Sequence, residues 1–415
     1  MRLPVLVLVL GSTLPLRAAG HVSLPPPTGP LPVGRIELLW SDPSRLEDVG
    51  PTAGKPREVL TYVYYPAIPK GNKAEYFPGL KDLEGANEAR FLRRQFGAQW
   101  HAVASGTLLS NAYDGAPLSM EHRKFPLLIF SPGELAPVLS YQAQLQEFAS
   151  RGYVVFGLEH GTDSALLIRP DHTMLPYVSR RGPDQGPPTV DGLKANRDSV
   201  IRRTADIRFA IDQIERLAKS GNSIFHDRLD LARMGAFGHS MGGKAAIRAC
   251  QTDRRLRACA NQDGEMFGIP FTSSTPIPSV QPARFIDAPL LVMYVAEPGI
   301  PDAQLAAVHI THAQYQEWRS AKNRALREFL RDETRDSELV TITAPGFVHA
   351  SFMDPRLLGD HVSPEEKTNH QTGLKITIDF FDWRLQTGDQ EAWSEFVLST
   401  EAGVTAERLG GSGTK

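Results

Sequence analysis

The sequence predicts an α/β protein with a mostly parallel central sheet that is covered by helices on both faces. From residue 126 onward, short apolar runs alternate with segments whose apolar residues recur at helical spacing. Strands that alternate with helices pair in parallel, because each helix carries the chain back to the same end of the sheet. The 415 residues are 41% hydrophobic and 22% charged, so one large core can be buried.

The pattern gives the elements in chain order. The predicted strands are residues 35–40, 58–65, 126–130, 153–158, 234–237, 256–262, 290–295 and 339–343. The predicted helices are residues 86–96, 141–151, 198–217, 244–250, 303–330 and 374–385. We therefore expect one domain over 35–400 with a lid insertion at about 161–196, a Pro-rich linker over 21–34 before it and a flexible tail over 401–415 after it.

The first 20 residues predict a secretory signal. Arg2 is followed by an apolar run over residues 3–10 and then by small residues at 18–20. The run is too short, and too interrupted by Gly11 and Pro15, to span a bilayer; the alternative is a buried N-terminal strand. We expect a protein that is secreted, or periplasmic, once this segment is removed. The formal net charge of −2 gives no indication of a nucleic-acid partner.

The most informative motif is Gly-His-Ser-Met-Gly-Gly at residues 238–243. A predicted strand precedes it and a helical segment follows it, which is the context of a nucleophile elbow. The sharp turn exposes the Ser240 hydroxyl at the carboxyl end of the strand, and the flanking glycines remove Cβ clashes. The motif therefore predicts a catalytic serine; the alternative is a glycine-rich structural turn.

A serine hydroxyl is a weak nucleophile, so it needs a base, and the base needs an orienting carboxylate. Among the histidines after the motif, His349 follows the last predicted strand, where the base of such a site is expected. His309 and His312 lie instead in a predicted helical region. Two acids compete, because Asp263 and Glu297 each follow a predicted strand, and sequence order alone does not decide between them.

Two backbone N–H groups are expected to stabilise an oxyanion at this site. One belongs to Met241, the residue after the nucleophile, and the other comes from the loop after the 126–130 strand. Pro132 has no N–H, and by loop position Glu134 is favoured over Gly133. Because a carboxylate beside a developing anion is unfavourable, we expect the Glu134 side chain to point away or to pair with a cation.

The sequence predicts neither a metal nor another cofactor. It contains no Cys/His spacing typical of zinc and no calcium-loop pattern. The two cysteines, Cys250 and Cys259, are compatible with one disulfide in an oxidising compartment or with two buried thiols.

Several segments together resemble the secreted platelet-activating-factor acetylhydrolase family. The resemblance covers about residues 35–385, and the segments that carry it are 57–67, 125–133, 158–160, 203–208, 238–243, 259–267 and 348–352. The resemblance implies an α/β-hydrolase fold and a calcium-independent serine esterase with Ser240 as nucleophile and His349 as base. In that family the acid follows the strand immediately after the elbow helix, which favours Asp263 over Glu297.

The resemblance also implies a substrate class. The enzyme would remove a short or oxidised sn-2 acyl group from a phospholipid, so we expect a lipid or small ester substrate and transient contact with a membrane or lipid surface. The chain departs from the family at Pro132-Gly133-Glu134, where members usually carry His-Gly. The alternatives are a general lipase, carboxylesterase or polyester hydrolase, and a non-catalytic binding protein on a hydrolase scaffold. The oligomeric state is left open.

Overall fold

The computed structural model describes residues 22–180, 189–268, 276–280, 285–296, 302–307, 309–359, 362–388, 393 and 403–410. The signal predicted for residues 1–20 lies outside these ranges. In chain order the strands are β1 (Val33–Leu46), β2 (Pro56–Pro66), β3 (Lys73–Glu75), β4 (Leu109–Asp114), β5 (Phe125–Ser131), β6 (Val154–Glu159), β7 (Leu166–Ile168), β8 (Met174–Pro176), β9 (Leu229–His239), β10 (Ala258–Gln262), β11 (Phe267–Gly268), β12 (Ile277–Pro278), β13 (Leu290–Val295), β14 (Ser337–Ile342) and β15 (Val404–Leu409).

One large sheet positions the rest of the molecule. Among the described residues its strand order is β15-β14-β13-β10-β9-β5-β6-β2-β1-β4-β3, and the strands from β14 to β6 pair in parallel. The flanking strands β15 and β2 pair antiparallel with β14 and β6. The carboxyl ends of the six parallel strands therefore share one edge of the sheet, which is the edge where ligands bind in open α/β sheets.

Helices cover both faces of this sheet. They are α1 (Arg90–Phe96), α2 (Trp100–Ala104), α3 (Gln142–Ser150), α4 (Val190–Lys219), α5 (Met241–Thr252), α6 (Asp302–Ala307), α7 (His312–Asp332) and α8 (Pro364–Phe381). In β5, Leu128 and Phe130 pack with α3 and α8, whereas Leu127 and Ile129 pack with α4 and α5 on the other face. The predicted fold class is thereby confirmed. Within the described ranges, none of the helices combines the length and apolarity that a bilayer crossing requires.

The segment predicted as a linker, residues 21–34, is described from residue 22 onward, and that part packs against the body of the protein. Leu24 is buried. The Thr28 N–H and hydroxyl both donate to the Glu147 carboxylate of α3, each at 2.6 Å. The described part of this segment therefore belongs to the domain, and β1 starts at Val33.

The prediction of a flexible tail over 401–415 is wrong for residues 404–409. These residues form β15, which pairs antiparallel along the whole length of β14. An unpaired β14 would leave its backbone N–H and C=O groups open at the sheet edge, and β15 satisfies them. Residues 411–415 lie outside the described part of the chain.

The region predicted as a lid, residues 161–196, carries a buried hairpin and the start of a helix. The hairpin is formed by β7 and β8, and Leu166 and Leu167 are buried. The helix α4 begins at Val190, eight residues before the predicted start, because the Thr189 side chain accepts the Gly192 N–H as an N-cap. Residues 181–188 are outside the described ranges.

Candidate active site

Ser240 lies between β9 and α5 in a backbone conformation that side chains rarely adopt. Its φ is 55° and its ψ is −119°, which is the strained turn expected of a nucleophile elbow. The turn requires glycine on both sides. A Cβ at Gly238 would lie 2.4 Å from the Ser131 carbonyl oxygen, and a Cβ at Gly242 would lie 1.9 Å from the same atom. The motif spacing is therefore set by the close approach of β5 to the elbow.

Asp263 lies directly after β10 in a second tight turn. Its φ is 54°. The Asn261 side chain holds this turn, because its Oδ1 accepts the Gly264 N–H and its Nδ2 donates to the Gly264 carbonyl, both at 2.8 Å. The Ser240 N–H donates to the Gln262 carbonyl at 2.9 Å. The acid turn and the elbow are thus joined through backbone.

His349 begins a short 3₁₀ turn (His349–Phe352) after β14. Its Nδ1 lies 2.7 Å from Asp263 Oδ2, and the two side chains are 43% and 10% exposed. Asp263 Oδ1 accepts the Val295 N–H at 2.9 Å, which fixes the carboxylate. Because the carboxylate accepts, Nδ1 carries a proton and Nε2 is the basic nitrogen of the neutral ring. The 3₁₀ turn is held by the Val348 N–H, which donates to Ser351 Oγ at 3.0 Å.

One cavity of about 360 Å³ brings the predicted site residues together. Its walls contain Ser240, His349, Asp263, Met241 and Glu134. The competing acid, Glu297, lies outside the described residues, so the structure gives it no position. Asp263 is the acid that forms the hydrogen bond with His349.

The two candidate oxyanion donors, Met241 and Glu134, line the same cavity as Ser240. Met241 is the first residue of α5, where N–H groups have no acceptor within the helix. In the loop after β5, the Gly133 N–H donates to the Tyr141 hydroxyl at 3.1 Å, which supports Glu134 as the other donor. The Glu134 carboxylate accepts a hydrogen bond from the Tyr177 hydroxyl at 3.2 Å.

The remaining histidines after the motif have other environments. His312 is exposed and pairs with Asp302, and His309 lies between α6 and α7 with a φ of 59°. That left-handed residue breaks the single helix predicted over 303–330 into two. His370 is buried on α8, and its Nδ1 donates to the Ser351 carbonyl at 2.9 Å. Burial lowers the pKa of His370 to about 4. His361 is outside the described residues.

Sequence reasoning missed the side chains that form the rest of the cavity wall. They come from five separate segments and are Asn196, Lys244, Glu265, Tyr294, Val295, Tyr315, Arg319 and Lys322. The position of Lys244, one turn along α5 from Ser240, could have been inferred from helical spacing. Tyr315 and Arg319 on α7 share one helix face at the same spacing, but nothing in the sequence shows that α7 faces the elbow.

Cys250 and Cys259 form a disulfide. It joins the end of α5, which begins at the nucleophile, to the start of β10, which ends at Asp263. The bridge therefore ties together the two elements that carry these residues. Within the described ranges, no three His, Cys, Asp or Glu side chains gather in an arrangement that would hold a metal ion.

A parallel sheet covered by helices, with a Ser–His–Asp arrangement at the carboxyl ends of its strands, defines the α/β-hydrolase class. The chain order is Ser, Asp and His, as this class has it. A ferulic acid esterase from Streptomyces cinnamoneus has a similar fold, with a TM-score of 0.59 at 21% identity over 92% of this chain and 98% of that one. The predicted α/β-hydrolase fold is thus confirmed.

Comparisons of the sequence found two family models and several curated relatives that match parts of the chain. Residues 16–170 match the family model described as platelet-activating factor acetylhydrolase, isoform II, and residues 189–279 match one described as PET hydrolase-like. A probable 1-alkyl-2-acetylglycerophosphocholine esterase of Arthroderma benhamiae is 26% identical over 253 residues. The platelet-activating factor acetylhydrolase of Cavia porcellus is 24% identical over 310 residues. These matches confirm the resemblance to the platelet-activating factor acetylhydrolases and agree with the prediction of an ester hydrolase.

The alignments are partial. They cover 59% and 67% of this chain, and 59% and 63% of the Arthroderma benhamiae and Cavia porcellus relatives.

Proposed function

We propose that this protein is a serine esterase that hydrolyses short or oxidised sn-2 acyl esters of phospholipids. The observation that carries the proposal is the 2.7 Å hydrogen bond between His349 and Asp263 in the cavity that Ser240 also lines. The names of the two relatives supply the substrate class.

The chemistry follows from the protonation of His349. With Nδ1–H bonded to Asp263, Nε2 takes the proton of Ser240 as its oxygen attacks the ester carbonyl. The Met241 and Glu134 N–H groups stabilise the oxyanion. His349 then protonates the leaving alcohol, the acyl group remains on Ser240, and a water activated by the same nitrogen hydrolyses the acyl-enzyme.

The dimensions of the cavity and the cationic side chains in its wall support a small acyl group next to a phosphodiester. A volume of about 360 Å³ is near the lower limit for sites that bind small molecules. Lys244, Arg319 and Lys322 line it, and Lys322 forms an ion pair with Glu265. A cationic side chain near the acyl site is the group expected to attract a phosphodiester.

A substrate panel tests this proposal. We expect the highest kcat/KM for a phosphocholine with an sn-2 acetyl group, and lower values for a long-chain phosphocholine, tributyrin and p-nitrophenyl acetate. Addition of EDTA should leave all rates unchanged. A preference for tributyrin would replace the phospholipid assignment with a general lipase, and no turnover of any ester would leave a binding protein on a hydrolase scaffold.

A polyester hydrolase is the second candidate. It is favoured by the PET hydrolase-like match, which covers residues 189–279 and so includes Ser240 and Asp263. Adding bis(2-hydroxyethyl) terephthalate to the panel separates the two candidates. A kcat/KM above that for the sn-2 acetyl phosphocholine would favour the polyester hydrolase.

We propose further that the protein is secreted or periplasmic. The Cys250–Cys259 disulfide supports this location, because such bridges persist in oxidising compartments and are rare in the cytosol. Expression with the natural N-terminus, followed by mass spectrometry of the exported protein, should show a chain that begins near residue 21. An intact N-terminus on a cytosolic product would contradict the proposal.

A further inference from the structure

The loop that precedes Glu134 is held from two sides. Arg203, which is fully buried, donates from Nη1 to the Pro132 carbonyl at 2.6 Å, and Tyr141 accepts the Gly133 N–H at 3.1 Å. These two backbone groups belong to one peptide unit, which is planar. Its orientation is therefore fixed at both ends, and so is the direction from which the chain enters Glu134, the candidate oxyanion donor.

Tyr141 also contacts His239, the residue before the nucleophile. Its hydroxyl lies 2.8 Å from His239 Nδ1, and both side chains are buried. The hydroxyl oxygen accepts the Gly133 N–H, and we assign its own proton to the bond with Nδ1. The neutral His239 ring therefore carries its proton on Nε2. Gly133 packs closely here, since a Cβ would lie 3.0 Å from the tyrosine oxygen.

His239 in turn packs against the general base. The ring centroids of His239 and His349 are 4.3 Å apart. Burial, and then the charge of His349, hold the pKa of His239 well below its usual range. The His239 ring therefore stays neutral when His349 takes up a proton, and it supports that ring without opposing its charge.

The end of β5 beneath this loop is anchored separately. Ser131 Oγ lies 2.8 Å from His160 Nε2, and His160 Nδ1 lies 2.9 Å from Asp206 Oδ2. This is a second Ser–His–Asp chain, but Ser131, His160 and Asp206 are all fully buried, so no substrate reaches it. Arg57 also donates to Asp206, at 2.8 Å. These hydrogen-bonded side chains hold the end of β5, whereas Arg203 and Tyr141 hold the loop that follows it.

We propose that Tyr141 and His239 are positioning residues that hold the Glu134 N–H and His349 in one arrangement around Ser240. This inference rests on the proposed ester hydrolysis at Ser240. In this proposal neither residue contacts the reacting atoms, and both act through Glu134 and His349. Their removal should weaken the binding of the tetrahedral intermediate and leave the binding of the ground-state ester nearly unchanged.

The test is Tyr141→Phe, which removes the hydroxyl and keeps the ring. We expect kcat on p-nitrophenyl acetate to fall about 10- to 100-fold, less than the loss of a whole oxyanion donor, with little change in KM. The inhibition constant of phenylboronic acid, which forms a tetrahedral adduct with the serine, should rise by the same factor. The matched control is Tyr65→Phe, because Tyr65 is also buried and donates to the Ala116 carbonyl at 2.7 Å, away from the site. It should change neither constant.

A second pair of variants keeps the test decisive if Tyr141→Phe does not fold. In His239→Asn the Oδ1 atom replaces Nδ1 as acceptor for the Tyr141 hydroxyl, whereas His239→Leu offers no acceptor. We expect the Asn variant to bind phenylboronic acid more tightly than the Leu variant. Equal affinities in this pair, or unchanged boronate affinity in Tyr141→Phe, would overturn the inference. A wild-type protein that binds the boronate but turns over no ester would overturn the proposed function instead.

Discussion

Replacing Asp263 by asparagine removes the negative charge that stabilises His349 when it becomes protonated. The carboxylate and the imidazole are joined at 2.7 Å and lie at a partly exposed site. For two unit charges whose centres are about 4 Å apart, an effective dielectric constant of about 20 gives a Coulomb attraction of about 4 kcal/mol. That energy corresponds to a factor of about 10³ in rate.

The hydrogen bonds of Asp263 add a second loss. Its Oδ1 accepts the Val295 N–H at 2.9 Å. An asparagine that keeps this bond turns its NH₂ group toward His349 Nδ1, so that a donor faces a donor. His349 then adopts the tautomer with the proton on Nε2, which cannot accept the proton of Ser240. With both effects we expect Asp263→Asn to lower kcat about 10³- to 10⁴-fold.

The assay is kcat on p-nitrophenyl acetate, with thermal unfolding measured in parallel. Asp230→Asn is the matched control, because Asp230 also accepts one backbone N–H, from Ala232 at 3.1 Å, and one cationic donor, from Arg233 at 2.7 Å, away from the cavity. Glu297→Gln tests the competing acid and should cost far less rate than Asp263→Asn. The reverse ranking of these two variants would refute the assignment of the acid.

Three further predictions concern stability and the acid turn. Gly264→Ala places a Cβ 2.3 Å from the Ser240 carbonyl oxygen, so we expect kcat to fall at least tenfold and the unfolding free energy to fall by about 1–3 kcal/mol. The control is Gly221→Ala, because a Cβ there meets no atom within 4 Å. It should change neither quantity in the same assays. Replacing Cys250 and Cys259 by alanine opens a loop with a sequence separation of 9 and should lower the unfolding free energy in urea by about 2–3 kcal/mol. The pKa of His370 is about 4 in the folded protein against about 6.5 in the unfolded protein, so the wild type loses stability as pH falls through this window. His370→Asn should lack that loss. The difference between the unfolding free energies of wild type and variant should therefore change by about 3 kcal/mol, so that the two values converge, between pH 7 and pH 4. No convergence would show that His370 is not the titrating group.

Ser240 and His349 could be predicted from the sequence because their signals are local. A glycine-flanked serine between a strand and a helix constrains the backbone by itself, and a histidine after the last parallel strand lies at the right edge of the sheet by topology. Asp263 was separable from Glu297 only through the family resemblance, since both follow strands. The structure adds a physical reason, because the Asn261 side chain holds the turn in which Asp263 presents its carboxylate to His349.

The residues that hold the loop before Glu134 have no local signal. Tyr141, His239 and Arg203 are far apart in the sequence and meet only because β5 and β9 are neighbours in the sheet. The strand β15 was missed for a related reason. Its polar alternation is typical of a surface segment, and only its pairing with β14 gives it a structure.

Covalent labelling with a fluorophosphonate tests the central claim most directly. The claim is that the Ser240 hydroxyl is activated by His349 at a strained turn. We expect one adduct per chain, located on the peptide that contains Ser240, with neither labelling nor ester turnover in Ser240→Ala. An adduct at another residue, or full turnover in Ser240→Ala, would contradict the account.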